Sequence, residues 1–163
     1  MEIITSHQNI DFDGLASIIA AKKLYPKAKC ILPNTIENNV HVFLKKYPEI
    51  KKKFSVLSPG NYKKINLLVL VDTQESKRLG DLSNILNNHL LKIHLYDHHP
   101  KEATAIKGEL EICKNYGATI TLLVEKLKEK NIFISPLEAT LFILGIYEDT
   151  GSLTFISTTS EDI

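Results

Sequence analysis

The chain has 163 residues, of which 44% are hydrophobic and 24% charged, and its formal net charge is +1. This size suits one domain with a real hydrophobic core, and the scattered charges argue against a long disordered tail. No run approaches the roughly 18 apolar residues of a membrane span, and no signal peptide is visible, so we expect a soluble, cytoplasmic protein with no membrane partner.

Short apolar runs alternate with helical patterns in the first half of the chain. The predicted elements are a strand over 2–5, a helix over 15–24, a strand over 30–32 and a helix over 36–47. Pro26 and Pro48 end the two helices. Lysines cluster after the second helix, and we interpret them as a solvated helix end rather than a nucleic-acid patch; they stand at 45, 46, 51, 52 and 53.

The second half of the chain continues the alternation. It predicts a strand over 67–71, a helix over 79–86, strands over 93–96 and 110–113, and helices over 118–130 and 136–147. The first of these strands is apolar at every position, as in a central parallel strand. Ser135 as N-cap and Glu138 form a capping box that begins the last helix, with Pro136 at its first position. The pattern predicts an α/β, doubly wound fold with a mainly parallel five-stranded sheet and helices on both faces.

The end of the sequence has the form of another helix start. Thr158 and Glu161 are spaced as in a capping box, yet only two residues follow. We therefore expect one domain over 1–157, and over 158–163 the start of a helix or linker to further domains of a longer protein.

Acidic residues and histidines follow the predicted strands. Ligands of open parallel sheets bind beyond the carboxyl ends of the strands, so these side chains should share one rim of the sheet. They are His7, Asp11 and Asp13 after the first strand, Asp72 after the central strand, Asp97, His98 and His99 after the next, and Asp149 at the end of the last helix.

Each of these residues also has an ordinary structural explanation. Asp13 could cap the following helix, Asp72 could be a turn residue, and the histidines could belong to a polar loop. As a group they are harder to explain, because two carboxylates about 4 Å apart repel by roughly 4 kcal/mol at an effective dielectric constant of 20. Divalent cations would remove this repulsion, and imidazole with carboxylate, without thiolate, suits Mn²⁺ or Mg²⁺ better than structural zinc.

The set resembles the four motifs of the DHH phosphoesterases: His-x-x-x-Asp-x-Asp, a lone Asp after an apolar strand, Asp-His-His and a late Asp. This superfamily includes manganese-dependent inorganic pyrophosphatases, exopolyphosphatases, single-strand exonucleases and oligoribonucleases. The stretches 7–17, 71–74 and 145–155 are most similar to a bacterial branch. There the DHH domain precedes a DHH-associated domain, paired CBS domains and a poly(A) polymerase or tRNA nucleotidyltransferase domain.

The resemblance implies a role for each residue. His7 and Asp11 would hold one cation, Asp13, His98 and Asp149 would hold the other, and Asp72 would bridge the two. His99 would contact the substrate phosphate or the leaving oxygen. Asp97 would orient the histidines. It implies two Mn²⁺ ions, with Mg²⁺ or Co²⁺ as alternatives. Gly117–Thr119 would help to shape the phosphate site.

The resemblance also implies a two-metal phosphohydrolase, a nuclease-like or oligonucleotidase-like module of a larger RNA-processing protein. Its substrate would be a short oligonucleotide, pyrophosphate or a cyclic dinucleotide. The second, DHH-associated domain that normally clamps substrate is absent from this sequence, which leaves turnover by this chain alone open.

Three other interpretations compete with this one. A receiver domain would use Asp72 as a phosphoryl acceptor, but it does not explain Asp97 to His99 or Asp149. A haloacid-dehalogenase hydrolase would need Asp11 directly after the first strand. A nucleotide or metal sensor without hydrolysis would keep the same ligands.

Overall fold

Six parallel strands form one sheet in the computed structural model, which describes residues Met1–Ile163. The strands are β1 Glu2–Thr5, β2 Lys29–Ile31, β3 Phe54–Ser55, β4 Leu67–Val71, β5 Lys92–Asp97 and β6 Leu110–Cys113. Their order is β3-β2-β1-β4-β5-β6, and every neighbouring pair is parallel. This confirms the predicted doubly wound α/β class. The predicted number of five strands was one too low, because β3 has only two residues and shows no alternation.

The five α-helices pack on one face of this sheet. They are α1 Phe12–Leu24, α2 Asn38–Lys46, α3 Pro48–Lys51, α4 Thr119–Glu129 and α5 Pro136–Asp149. Their apolar side chains join Ile4, Val69 and Tyr96 of the sheet in the larger of two buried clusters. None of the helices is both long enough and apolar enough to span a membrane.

The opposite face of the sheet is covered by 3₁₀ helices over Pro59–Lys64 and Ser76–Asn87. The helix predicted over 79–86 is therefore present, as a 3₁₀ helix. The backbone of Gly80 has φ +56° and interrupts the segment. Leu79, Leu82 and Ile85 are spaced by three residues, and this spacing places them on one face of a 3₁₀ helix as well as of an α-helix.

Helix α5 lies against α1 and α4, and its position depends on a close contact. Its predicted capping box is present: Glu138 accepts a hydrogen bond from the Ser135 amide at 3.0 Å, and the Ser135 hydroxyl accepts one from the Glu138 amide at 3.4 Å. Near the other end, a Cβ on Gly145 would lie only 3.0 Å from the Cα of Asp13. This close approach brings the end of α5 to the rim where α1 begins.

The last residues of the chain fold back onto the domain. The capping box observed there joins Thr159 and Asp162, one residue later than the predicted pair of Thr158 and Glu161, and it opens a 3₁₀ turn over Ser160–Asp162. Asp162 is buried, so this turn is part of the folded domain.

The neighbouring strands β1 and β4 mark the switch point of the sheet. From β1 the chain continues to β2 on one side, and from β4 to β5 on the other. The loops that leave these two strands therefore diverge, which opens a crevice beyond their carboxyl ends.

Candidate metal centre

The predicted site residues meet at this crevice. Three groups of side chains have ligand atoms within 4.8 Å of one another: His7, Asp11 and Asp72; Asp13, Asp72, His98 and Asp149; and Asp72, His98 and His99. All six side chains predicted as metal ligands are thus brought together. Asp72 belongs to every group and lies at the middle.

The loop after β1 places its two carboxylates in different environments. Asp11 is the N-cap of α1 and accepts a hydrogen bond from the Gly14 amide at 2.9 Å. The ordinary explanation considered for Asp13, that it caps this helix, is therefore wrong, because Asp11 does so. Asp13 lies in the first turn of α1 and is fully buried.

The Asp13 carboxylate is held by the start of α4. It accepts hydrogen bonds from the amides of Thr119 at 2.7 Å and Ile120 at 2.8 Å, where the helix dipole favours negative charge. Burial nevertheless raises the pKa of Asp13 to about 7, and the charge of Asp149 adds to this effect. A cation beside Asp13 would stabilise its charged form.

Asp72 sits directly after β4 with a backbone φ of +59°, a region that few residues other than glycine adopt. Its carboxylate accepts a hydrogen bond from the Thr119 hydroxyl at 3.0 Å and lies 3.1 Å from Nε2 of His7. Burial, followed by the charges of Asp13 and Asp11, raises the pKa of Asp72 well above its usual value. Strained backbone and an unfavourably buried charge are common at functional sites.

The rings of His7 and His98 present lone pairs to these carboxylates. Nδ1 of His7 lies 2.9 Å from the Gln8 carbonyl, and Nδ1 of His98 lies 3.1 Å from the Tyr116 carbonyl. A carbonyl only accepts, so we assign the proton of each neutral ring to Nδ1. Each Nε2 then carries a lone pair, and this is the arrangement of metal-binding histidines whose other nitrogen donates to a carbonyl.

These lone pairs face negative oxygen atoms at close range. Nε2 of His7 lies 3.7 Å from a carboxylate oxygen of Asp11, besides its contact with Asp72. Nε2 of His98 lies 3.2 Å from Asp149 but lacks the alignment of a hydrogen bond, and this buried atom has no partner. Two acceptors that face each other need a cation or a shared proton between them. The donor set and this orphaned nitrogen therefore fit divalent cations.

The pKa values of the two histidines move in opposite directions. The pKa of His7 is lowered, because burial outweighs the charge of Asp11. For His98, burial lowers the pKa, but Asp149 and Asp13 outweigh it and raise the value to about 9. The carboxylates around His98 thus favour a positive charge at that position.

Asp97 and His99 form a separate pair at the edge of the centre. The buried Asp97 carboxylate accepts hydrogen bonds from the amides of His98 at 2.9 Å and His99 at 3.2 Å, and from Nδ1 of His99 at 2.7 Å. Nε2 of His99 stays free on a side chain that is 43% exposed. Asp97 thus orients the ring of His99, whereas the Tyr116 carbonyl orients that of His98.

Two residues support the centre in ways that sequence reasoning missed. Thr119, expected near a phosphate, instead donates to both Asp13 and Asp72. Glu148 accepts hydrogen bonds from the amide of Phe12 at 2.6 Å and from the side chain of Asn39 at 2.7 Å. The first of these bonds connects α5 to the start of α1. No local sequence pattern predicts either role, because the hydrogen-bonded groups are far apart in the sequence.

Two of the alternative interpretations do not account for this site. A receiver domain would use Asp72 as a phosphoryl acceptor, which leaves unexplained why His98 and Asp149 lie in one ligand group with Asp72. Asp11 does not follow β1 directly but caps α1 at the end of a loop, so it does not occupy the nucleophile position of a haloacid-dehalogenase hydrolase.

Comparison with known proteins gives a consistent result. Residues 2–146 match the DHH family, N-terminal domain. A-adding tRNA nucleotidyltransferases are 40% identical over 165 residues in Geobacter sulfurreducens and 34% identical over 164 residues in Aquifex aeolicus. Each alignment covers 99% of this chain and 18% of the relative.

A solved structure shares the fold. An exopolyphosphatase-related protein from Bacteroides fragilis superposes with a TM-score of 0.74 at 23% identity, over 98% of this chain and 48% of that one. The chain thus spans less than a fifth of the length of the curated relatives, and about half of the structural neighbour.

Proposed function

Because the chain belongs to the DHH family, we propose that it is the metal-binding domain of a phosphohydrolase that cleaves phosphodiester or phosphoanhydride bonds with two divalent cations. The observation that carries the proposal is the meeting of two ligand groups at Asp72. His7 and Asp11 would hold one cation and Asp13, His98 and Asp149 the other, with Asp72 shared. Mn²⁺ is the proposed metal, because carboxylate and imidazole ligands without thiolate suit it.

Two cations so placed would lower the pKa of a shared water and neutralise charge on phosphoryl oxygens. The chain's own residues would prepare the site for this chemistry. Thr119 holds Asp13 and Asp72 in place through its amide and hydroxyl. Asp97 accepts the hydrogen bond from Nδ1 of His99 and so leaves Nε2 of this partly exposed ring free, where it would hydrogen-bond to a phosphate oxygen or to the leaving oxygen.

Mn²⁺-dependent product release is the direct test of this proposal. The protein is incubated with pyrophosphate, short oligonucleotides and cyclic dinucleotides, with and without Mn²⁺, and with EDTA as the control. We expect hydrolysis of at least one of these substrates with Mn²⁺ and none with EDTA. Tight Mn²⁺ binding without hydrolysis of any of them, by this chain or by a longer protein that contains it, would favour the sensor interpretation instead.

The similarity to A-adding tRNA nucleotidyltransferases supports a place in RNA processing. We propose that the domain acts as an oligonucleotidase-like module of such a longer protein, whose other domains would help to select the substrate. In such a longer protein, a second domain would grip the substrate phosphates against this one.

A polar cavity next to His99 supports a phosphate-bearing substrate. Its volume is about 200 Å³ and no hydrophobic residue lines it. Lys101, in the lining, pairs with Glu111, and Glu75 pairs with Lys77. Arg78, the only arginine of the chain, also lines the cavity, and no carboxylate forms an ion pair with its guanidinium.

Replacement of Arg78 tests this contact. A guanidinium that donates to a substrate phosphate contributes about 1.5–3 kcal/mol, so Arg78→Gln should raise KM by about 10-fold to 100-fold with little change in Mn²⁺ affinity. Lys27→Gln, which removes an exposed charge outside the cavity lining, is the matched control and should leave KM within about twofold. Equal KM values for the Arg78 variant and the wild type would contradict the contact.

A further inference from the structure

The C-terminal turn reaches the metal centre through one carboxylate. Asp162 accepts four hydrogen bonds: from the amides of Gly117 at 2.9 Å and Thr159 at 2.7 Å, and from the hydroxyls of Thr121 at 2.6 Å and Thr159 at 2.8 Å. Burial acts to raise the pKa of Asp162, but these hydrogen bonds outweigh it and lower the value. Asp162 is therefore ionised at neutral pH.

The Gly117 amide belongs to the same peptide unit as the Tyr116 carbonyl. That carbonyl accepts the hydrogen bond from Nδ1 of His98 at 3.1 Å. Since a peptide unit is planar, the direction of its N–H fixes the direction of its C=O. One rigid plane therefore joins the Asp162 carboxylate on one side to the His98 imidazole on the other.

The fit around this peptide leaves little freedom. A Cβ on Gly117 would lie 2.6 Å from Oδ2 of Asp162 and 2.6 Å from a methyl carbon of Thr150. Only glycine lets the chain approach both groups so closely. The next residues begin α4, whose first amides hold Asp13.

We propose that Asp162 is a positioning residue of the metal centre, which acts on His98 through the Tyr116–Gly117 peptide. The inference rests on the proposed metal-binding function. A carboxylate that hydrogen-bonds directly to a ligating histidine orients the ring and raises its basicity. Here the peptide stands between the two groups, and its dipole is aligned and polarised by the charge of Asp162.

The test compares two carboxylates that each complete a capping box. In Asp162→Asn an amide NH₂ replaces one acceptor oxygen, so at least one of the four donors loses its partner. Glu138→Gln is the matched control, because Glu138 closes the capping box of α5 at the end far from the centre, about 16 Å along the helix from Asp149. Both variants should lower the melting temperature of the metal-free protein.

Only the Asp162 variant should weaken Mn²⁺ binding. Loss of a partner behind a ligating histidine costs about 10-fold to 100-fold in metal affinity, and we expect about 10-fold by titration calorimetry. The Glu138 variant should bind Mn²⁺ within about twofold of the wild type. Equal losses in both variants, or no loss in either, would overturn the proposal.

Two readouts keep the inference separate from the proposed function and from a folding failure. In the metal-free protein, the NMR signal of the His98 Nδ1 proton should shift in Asp162→Asn and not in Glu138→Gln, whether or not Mn²⁺ binds. In the wild type, Mn²⁺ should slow hydrogen exchange of the Gly117 amide, because coupling between two sites is reciprocal. An unchanged His98 signal or unchanged exchange would argue that Asp162 serves stability alone.

Discussion

Asp72→Asn should abolish Mn²⁺ binding at the centre while leaving the metal-free protein at least as stable as the wild type. Asp72 is shared by all of the ligand groups, so its loss removes a ligand from both proposed cation positions. Its carboxylate is buried beside Asp13 and Asp11, which raises its pKa and makes its charge costly without a cation. The substitution should therefore weaken Mn²⁺ binding but not destabilise the metal-free protein.

The metal-free structure should tolerate this amide. Its oxygen would keep the hydrogen bond from the Thr119 hydroxyl, and its NH₂ group would donate to the Nε2 lone pair of His7. The amide makes this hydrogen bond without titrating, whereas the carboxylate of Asp72 faces the His7 lone pair as a second acceptor unless it is protonated. A variant that unfolds without metal would contradict this account of the site.

Thermal unfolding with and without Mn²⁺ measures both effects. A cation that binds only the folded state at a hundred times its Kd adds about 2.7 kcal/mol, which corresponds to about 5–10 °C for a chain of this length. The wild type should show this gain and Asp72→Asn almost none. Asp81→Asn, which changes an exposed carboxylate, is the control and should keep the gain. A full gain in the Asp72 variant would show that Asp72 does not bridge cations.

The sequence was sufficient to predict that the site residues lie at one rim of the sheet, but not to predict the contacts that hold their side chains there. Asp13 and the Thr119 amide are 106 residues apart, and only the packing of α4 beside α1 brings them together. In a parallel sheet the carboxyl ends of all strands lie at the same edge, whatever the order of the strands. The proximity of His7 and Asp72 could therefore be predicted without knowing the strand order.

The errors in the predicted fold have a common physical origin. The segment around Gly80 shows helical periodicity, but its type depends on a positive φ and on the side chain of Gln8, which lies within 2.9 Å of where a Cβ would stand. The strand β3 exists because Phe54 pairs with Cys30, not because of any local pattern. Long-range contacts decide both elements, and a single sequence does not display them.

Replacing His99 should separate turnover from metal binding. Its Nε2 is free because Nδ1 is the nitrogen that donates to Asp97, and its half-exposed side chain contributes little to the core. A group positioned to transfer a proton or to hydrogen-bond at the reacting oxygen contributes about 10²–10⁴-fold. We therefore expect His99→Asn to lower kcat by about that factor for the substrate that the wild type hydrolyses, with Mn²⁺ affinity within about twofold. His89→Asn, at an exposed position, is the control.

The rival role for His99 is that of a metal ligand, since it too lies within ligand distance of Asp72 and His98. The two roles differ in what Mn²⁺ titration shows. If His99 is a ligand, affinity should fall together with kcat, and a higher Mn²⁺ concentration should restore part of the turnover. If it contacts the substrate, saturating Mn²⁺ restores nothing. Asp97→Asn should then give a smaller loss of kcat, because the ring stays in place while its proton is no longer held on Nδ1.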